Sequence, residues 1–368
     1  MKELKLLYVE DEEEHRKDVS TSLNNKKICN DNLKISIEAV ETFDNAMEKI
    51  LSTPYHIIIL DIFKGSPNDG EKIGLEILQK VKEKCFVPII FYSGSTENVQ
   101  ELKSQIVGVA TKGDDGIDGL KNEIERLVKF NLPFVKENIH NYLDKEFIKY
   151  FWNIIHEENN KFSVDKSDFS LGYLMLRNFG NSLSKTKISE ILEDNTLKEN
   201  KVHPMEFYIY PTMKTEYKSG EILKKDNDVF VILTPNCDFI ERFDKSDKSL
   251  GRKVGKVLLT KTRLLSEMED YIKYSQNKNK DNKNNLLELI KSRKGDRYFF
   301  LPQTPFIENR VIDFQIKEMV DYENLKDYTR LAKLDSPFAE SMISSFIRYY
   351  NRIGTPDIDS DLVINSLS

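Results

Sequence analysis

Short apolar runs alternate with polar segments of helical pattern along the first 130 residues. The runs predict five strands, at Leu4–Val9, Lys34–Ala39, Tyr55–Leu60, Val87–Tyr92 and Gly108–Thr111. The segments between them predict helices, at Glu13–Leu23, Phe43–Leu51, Gly74–Lys84, Glu97–Ile106 and Gly116–Phe130. Strands that are apolar on both faces and separated by helices form a parallel sheet that is covered on both sides. The pattern therefore predicts a doubly wound (βα)5 domain of the α/β class over residues 1–130.

The pattern changes after Pro133. Apolar residues from Ile139 to Ile155 recur every three or four positions and predict a helix, and shorter helices are predicted at 170–179 and 185–193. From His203 onward, strand-like runs predict an α+β region with a small β-barrel or curled sheet over about 203–262, then strands at 298–302 and 311–314 and a helix at 337–353. The polar tract 276–285 predicts an exposed loop. We predict three parts: 1–130, a helical connector or part of the output domain at 131–200, and an α+β output domain at 201–368.

Polar side chains follow four of the predicted strands of the first domain. Glu10 and Asp11 follow the first strand, Asp61 the third, Ser93 the fourth and Lys112 the fifth. The carboxyl ends of parallel strands meet in one crevice, where like-charged carboxylates require a hard cation such as Mg²⁺. A carboxylate nucleophile, a hydroxyl and an ammonium together suit phosphorylation of an aspartate.

Four motifs of this domain resemble the receiver domain of bacterial two-component response regulators. They are Val9-Glu10-Asp11-Glu12, Leu60-Asp61, Tyr92-Ser93-Gly94 and Thr111-Lys112, in the order and spacing of that family. The resemblance covers about residues 1–130 and implies a flavodoxin-like fold. It also implies a phosphoprotein of a phosphorelay, with a histidine kinase as its partner. The activity implied is limited to the receiver's own phosphorylation and dephosphorylation.

The resemblance also assigns roles to single residues. Asp61 is implied as the phosphoacceptor, Ser93 as the switch hydroxyl and Lys112 as the lysine that pairs with the phosphoryl group. The implied Mg²⁺ ligands are Glu10, Asp11 (the direct ligand of the acidic pair), Asp61 and the backbone carbonyl of Phe63.

The sequence differs from the receiver pattern in three places. Gly113 follows Lys112, where receivers usually have proline, and Val109 stands where many have an aromatic residue that moves during switching. The loop from Ile62 to Ile73 is longer than usual. Gly113 and Val109 favour an alternative hypothesis, in which the chain is an adaptor that uses the receiver fold as a docking surface without phosphate.

Composition narrows the remaining possibilities. Residues 1–130 contain 18 basic and 24 acidic residues, and the rest of the 368-residue chain contains 37 of each. A neutral output region lacks the basic footprint of a typical DNA-binding effector, which argues against a nucleic-acid partner without excluding one. An unidentified downstream protein and a second copy of the chain are the other partners that we consider. The three cysteines are far apart and no run of 18 apolar residues occurs, which indicates a reduced cytoplasmic protein outside the membrane.

The output region has one candidate for chemistry of its own. Cys237 and Asp238 lie at a predicted strand end, and His203 begins the same predicted sheet, so a thiol nucleophile with a base is one hypothesis. A buried cysteine with a turn-capping aspartate is the alternative. The region also loosely resembles the SH3-like barrels of toxin ribonucleases, without a catalytic residue to carry over. A nuclease-like effector that the receiver controls is therefore the third hypothesis.

Overall fold

The computed structural model describes residues 1–62, 73–84, 86–113, 116–129, 131–157, 170–193, 201–212, 216–352 and 357–367. The chain divides into two compact units, at 1–199 and 200–368. The three-part division at 130 and 200 remains a prediction, because a compact unit is not by itself a functional domain. Among the described residues, helices of the length and apolarity needed to span a bilayer do not occur.

The first unit contains a six-stranded sheet with the order β2-β3-β1-β4-β5-β6. Its strands are β1 (Lys2–Val9), β2 (Lys27–Ile28), β3 (Leu33–Val40), β4 (Ile57–Leu60), β5 (Ile89–Ser93) and β6 (Val107–Thr111). All neighbours pair in parallel except β2, a short antiparallel edge strand. The order of the five parallel strands is the flavodoxin-like doubly wound order. The predicted fold class is thereby confirmed, and β2 is an addition to it.

Helices cover both faces of this sheet. They are α1 (Glu13–Leu23), α2 (Phe43–Ser52), α3 (Ile73–Lys84) and α4 (Gly116–Lys129), with a 3-10 helix at Glu97–Leu102. Two separate apolar clusters result, one on each face: Val9, Ile58 and Phe91 belong to the first, and Tyr8, Ile59 and Leu120 to the second. Alternate residues of one strand thus serve opposite cores, which explains why the strands read as continuous apolar runs.

The predicted helix at Glu97–Ile106 is wrong over its second half. The 3-10 helix ends at Leu102, and Ser104 then forms a turn. The backbone N–H of Ser104 donates to the carbonyl of Val107, whose own N–H donates to the Ser104 hydroxyl at 3.2 Å. A serine side chain that bonds nearby backbone in this way competes with helix formation, and a propensity pattern does not show this competition.

The helical segment after Lys129 belongs to the first unit. It comprises α5 (Leu132–Lys149), which continues as a π-helical stretch at Tyr150–His156, then α6 (Leu171–Ser182) and α7 (Lys185–Leu192). Phe134 is buried in the second apolar cluster of the sheet. Ile139 and Phe151, expected on the apolar face of this helix, are instead 38% and 48% exposed. The helix is therefore anchored at its start.

His56 connects the sheet to this anchored end. Its Nδ1 accepts the backbone N–H of Lys5 at 2.8 Å, its Nε2 lies 3.1 Å from a carboxylate oxygen of Glu137, and its ring centroid is 4.7 Å from that of Phe134. Burial lowers the pKa of His56 below its ordinary 6.5. Glu137 raises this pKa by less than burial lowers it, and Lys5 and Lys2 lower it further. His56 is consequently neutral in the folded protein near pH 7.

We expect the first unit to lose stability as the pH falls below 6.5. In that range the unfolded chain binds a proton at His56 more readily than the folded chain does, so the free energy of unfolding decreases with decreasing pH. His56→Gln should flatten this dependence between pH 7 and 5. Hydrogen exchange of the β1 amides measures the effect, and the exposed His140 provides the matched His140→Gln control. An unchanged slope in His56→Gln would contradict the assignment.

The second unit is organised around a seven-stranded antiparallel sheet with the order β13-β14-β12-β9-β8-β15-β7. Its strands are β7 (Tyr208–Ile209), β8 (Glu221–Lys225), β9 (Asp228–Ile232), β12 (Lys256–Leu264), β13 (Tyr298–Leu301), β14 (Arg310–Asp321) and β15 (Thr329–Leu334); β10 (Arg242–Phe243) and β11 (Ser249–Gly251) form a separate pair. Register shifts in the β12–β14 and β8–β15 pairs bend it, as bulges do. The predicted curled sheet is confirmed as a fold class, but it extends to Leu334 and includes the unpredicted β15.

Helices complete the second unit. They are α8 (Asn236–Phe239), α9 (Glu269–Gln276), α10 (Lys280–Ile290), α11 (Phe338–Tyr350) and α12 (Ser360–Asn365), with 3-10 helices at Pro204–Phe207, Leu265–Glu267 and Tyr322–Asp327. The exposed loop predicted at 276–285 is wrong, because α10 begins inside it. The Asn279 side chain accepts the N–H of Asn282 and caps this helix, while Leu286 and Leu289 bury its apolar face.

Candidate functional site

Parallel pairing of β1 and β4 brings the first two acidic groups together. Val9 is in register with Leu60, so the residues that follow, Glu10 and Asp61, leave adjacent strands at the same edge. Both are buried, at 1% and 7% exposure. Ligand oxygens of Glu10, Asp11 and Asp61 all lie within 4.8 Å of one another. The structure therefore brings together three of the four residues predicted as metal ligands; the fourth, Phe63, lies outside the described residues.

Lys112 reaches this acidic cluster from the other side of β5. Its Nζ lies 2.5 Å from Glu10 Oε2 and 2.6 Å from Asp61 Oδ2. Ser93 ends β5 between them, is 1% exposed, and accepts the backbone N–H of Lys112 at its carbonyl at 3.0 Å. All the predicted site residues that the structure describes thus meet at the carboxyl edge of the sheet.

The charges in this site hold one another in place. Burial acts to lower the pKa of Lys112, but the nearby Asp61 and Glu10 carboxylates outweigh it, and the pKa is raised. Lys112 therefore stays protonated at neutral pH. The second Asp61 oxygen accepts the N–H of Ile62 at 2.6 Å, which fixes the carboxylate's orientation. One ammonium facing two buried carboxylates leaves the local balance negative, before Asp11 is counted.

Two supporting residues were missed from the sequence. The Tyr8 hydroxyl donates to Glu10 Oε2 at 2.6 Å; burial and Glu10 both raise the pKa of Tyr8, so the phenol keeps its proton and remains a donor. Arg16, on α1, donates to the backbone carbonyls of Glu10 and Asp11 at 2.6 and 2.7 Å. The available signal for Tyr8 was its position two residues before Glu10, which places both side chains on one face of the strand. Arg16 gave no comparable signal.

The donor set fits Mg²⁺. Three carboxylates supply hard oxygen ligands from two loops, and their clustered negative charge, only partly offset by Lys112, favours a divalent cation. The Arg16 contacts hold the loop that carries two of the three carboxylates. The residues present could thus hold the ion that the receiver resemblance implies.

A cavity of about 580 Å³ opens beside Lys112, between α1 and the start of α4. His15, Asp18, Tyr92 and Gly113 contribute to its lining. The His15 Nδ1 lies 3.5 Å from Lys112 Nζ and 3.3 Å from a Glu12 oxygen. A reactant could therefore approach the ammonium from this side without disturbing the buried sheet.

Two of the three departures from the receiver pattern lie in described parts of the chain and have different surroundings, whereas residues 63–72 of the long loop lie outside the described residues. Val109 is 6% exposed and packs in the first apolar cluster with Phe91 and Val107. It offers no ring that could move in and out. The position at which a side chain would begin on Gly113 has nothing within 4 Å, so this residue stands in open space beside the cavity.

The candidate thiol site of the output region is not assembled in the structure. Cys237 is exposed and its Sγ lies 3.7 Å from Asp238 Oδ1. The His203 ring caps a 3-10 helix by accepting the N–H of Met205. Within the described ranges, the only group of three or more potential metal-ligating side chains is that of Glu10, Asp11 and Asp61. A catalytic role for Cys237, His203 and Asp238 remains a hypothesis without geometric support.

Comparison with known proteins concerns the first unit. No protein-family model matches the chain. No curated protein sequence is significantly similar to it. Among solved structures, a chemotaxis response regulator of Vibrio cholerae is 23% identical over 34% of this chain and 98% of its own, with a TM-score of 0.26. A response regulator of Thermotoga maritima in complex with Mg²⁺ and beryllium fluoride is 24% identical over 34% and 99%, with a TM-score of 0.25. A Francisella receiver domain is 23% identical over 36% and 98%, with a TM-score of 0.26.

The sheet order decides the fold on its own. The five parallel strands follow the doubly wound order with its switch point beside β1, and the acidic cluster lies in the crevice at that edge. The N-terminal part thus has the doubly wound, flavodoxin-like fold. The solved structures to which this part is similar leave the second unit without an assignment.

Proposed function

We propose that the protein is a cytoplasmic response regulator that accepts a phosphoryl group on Asp61 from a histidine kinase. One observation carries this proposal: Glu10, Asp11 and Asp61 cluster at the carboxyl edge of the doubly wound sheet, and the Lys112 ammonium pairs with Glu10 and Asp61. Structural ion pairs alone do not require a third carboxylate in such a cluster. Phosphoryl transfer relies on a metal ion that bridges phosphoryl oxygens and on cations that offset their charge, and this set of groups would supply both.

The transfer is a displacement at phosphorus. An Asp61 oxygen forms the new O–P bond as the N–P bond to the kinase histidine breaks, and the electron pair of that bond returns to the imidazole. Glu10, Asp11 and Asp61 would hold Mg²⁺, which when bound would offset the negative charge of the phosphoryl group. Lys112, already beside Asp61, would pair with a phosphoryl oxygen, and Ser93 would supply a hydroxyl from the neighbouring strand.

The product changes the charge of the site. A phosphoryl group adds about −1.5 to −2 charges at neutral pH, and this addition next to Lys112 rearranges ion pairs that are now shared by two carboxylates. We propose that the resulting shift of the loops after β5 and β6 alters how the chain binds a downstream protein. The second unit would provide the output. The neutral charge balance of residues 131–368 favours a protein partner over nucleic acid.

The test is phosphorylation of the full chain by a small phosphodonor such as acetyl phosphate, followed by intact mass and peptide mapping. We expect one phosphoryl group on Asp61 in the presence of Mg²⁺ and none when the ion is chelated. A beryllium fluoride complex that forms only with Mg²⁺ would be the matching result. An unchanged mass together with no fluoride complex would overturn the proposal.

A further inference from the structure

A groove of about 450 Å³ lies in the second unit, between one face of α11 and the turn that follows β9. Its lining includes Ser219, Asn236, Lys333, Ile343, Ile347 and Arg348. None of these residues was singled out as a site from the sequence, and the proposed phosphorylation does not use them. The groove therefore needs an explanation of its own.

The floor of the groove presents hydrogen-bond donors. Ser219 is 9% exposed, and among the described residues its hydroxyl has no hydrogen-bond partner. The backbone N–H of Ser219 donates to Asn236 Oδ1 at 2.8 Å, which leaves the NH₂ of that amide to donate. Lys333 Nζ uses one of its three donors on the carbonyl of Leu334 at 3.0 Å. A buried hydroxyl without a partner is costly, so these donors favour a ligand with acceptor oxygens.

The wall of the groove is apolar. Ala339, Ile343 and Ile347 follow one another at four-residue intervals and so lie along one face of α11. Ile347 is 57% exposed, whereas Met342 of the same helix is fully buried. Two cations, Lys333 and Arg348, and one carboxylate, Glu340, are among the lining residues; Arg348 already pairs with Asp296 at 2.9 Å, so Lys333 is the cation that faces a ligand without a carboxylate partner of its own among the described residues. The groove thus fits an acidic peptide that also carries apolar side chains.

The end of the described chain has this composition. Residues 357–367 contain Asp357, Asp359 and Asp361 and no basic residue. The same segment exposes large apolar side chains: Ile358 is 77% exposed, Leu362 69%, Ile364 63% and Leu367 82%. The Asp359 carboxylate caps α12 by accepting the N–H groups of Asp361 and Leu362. A six-residue helix is marginal by itself in water, so an apolar contact partner would stabilise it.

Among the described residues of the same copy, no apolar surface covers residues 357–367. Every residue from 357 to 367 is exposed, so the segment does not lie in the groove of its own chain. We propose that residues 357–367 of one copy bind in this groove on a second copy. The aspartates of the segment then face Ser219, Asn236 and Lys333, and its leucine and isoleucine side chains cover the α11 face. Each copy has one groove and one segment, so two copies can exchange both contacts, and we take this reciprocal, closed two-fold dimer as the proposed assembly.

The test is sedimentation of the full chain over a range of concentrations, without a phosphodonor. We expect a concentration-dependent dimer in the wild type. Leu362→Asp in the segment and Ile347→Asp in the groove should each weaken it at least tenfold, since each places a charge in the apolar contact. Both side chains are exposed, so the variants should fold. Met319→Asp changes a side chain of the same unit that is 56% exposed and should leave the dimer intact.

A mixture of the two variants separates this proposal from other modes of association. Ile347→Asp retains an intact segment and Leu362→Asp an intact groove, so an equimolar mixture should form a heterodimer through one contact that neither variant forms alone. Ser219→Ala, which removes the buried donor, should weaken the wild-type dimer roughly tenfold. A wild type that is monomeric throughout would overturn the proposal. So would variants that dimerise like the wild type, or concentration-independent exchange protection of residues 357–367 in a monomer, which would place the segment in its own groove.

Discussion

Asp61→Asn will reduce phosphoryl incorporation from a small phosphodonor to background. The asparagine side chain retains the shape of the carboxylate and can still accept the N–H of Ile62, but its amide lacks the charge and nucleophilicity that attack at phosphorus requires. The fold is expected to persist, because the variant removes one of the two carboxylates that share Lys112 and lowers the negative charge of the site. Intact-mass measurement of the full chain with Mg²⁺ checks this result directly.

Asp44→Asn provides the matched control for this variant. Asp44 is exposed on α2, and its replacement should leave incorporation unchanged. Label that persists in Asp61→Asn would place the acceptor elsewhere and defeat the assignment. Asp61→Asn that abolishes labelling but leaves partner binding unaltered would instead support the adaptor hypothesis, in which the receiver fold docks without phosphate.

Lys112→Met is expected to destabilise the first unit strongly. The variant removes the ammonium that pairs with Glu10 and Asp61, and the side chains of these two residues are 0% and 10% exposed. Loss of one partner from a buried ion pair typically costs about 3–5 kcal/mol, because the remaining charge stays buried without compensation. The free energy of unfolding of this unit, measured by hydrogen exchange of the β1 and β4 amides in metal-free buffer, should fall by an amount of that order.

Mg²⁺ should restore more stability to Lys112→Met than it adds to the wild type. A cation that binds only the folded state stabilises it in proportion to its affinity, and the variant offers a more negative site. Lys17→Met is the control: Lys17 pairs with Glu13 on the exposed surface of α1, where replacement should change stability little. Stability of Lys112→Met equal to that of the wild type without metal would show that the two carboxylates do not depend on this ammonium.

The acidic site of the first unit could be predicted from the sequence, because its residues directly follow strands whose ends are visible as the ends of apolar runs. Apolar runs fix the strand ends, and parallel pairing then places Glu10, Asp61, Ser93 and Lys112 along one edge. The hydrogen bond from Tyr8 and the loop contacts of Arg16 were not predictable in this way. They depend on side-chain reach and on where α1 begins, and neither is encoded in the period of apolar residues.

The second unit shows where such reasoning fails. Lys333 of β15 pairs with Ile209 of β7 and with Glu221 of β8, and these partners lie more than a hundred residues away. Antiparallel pairing over that separation leaves no local pattern, so the extent of the sheet was underestimated. The loop prediction for residues 276–285 was wrong for a different reason. The Asn279 side chain caps a helix that begins at Lys280, although the composition of this stretch is polar and typical of a loop.

Val109 and Tyr8 lie on opposite faces of the central sheet, so a change at the acidic cluster can affect one face more than the other. A phosphoryl group that draws Lys112 toward Asp61 would weaken the ammonium's hold on Glu10, and the Tyr8 phenol would follow its acceptor. Tyr8 shares its apolar cluster with Phe134 at the start of α5. We therefore expect phosphorylation to change the structure around α5 more than that around α2. Amide exchange in Leu132–Lys149 should accordingly change more on phosphorylation than amide exchange in Phe43–Ser52.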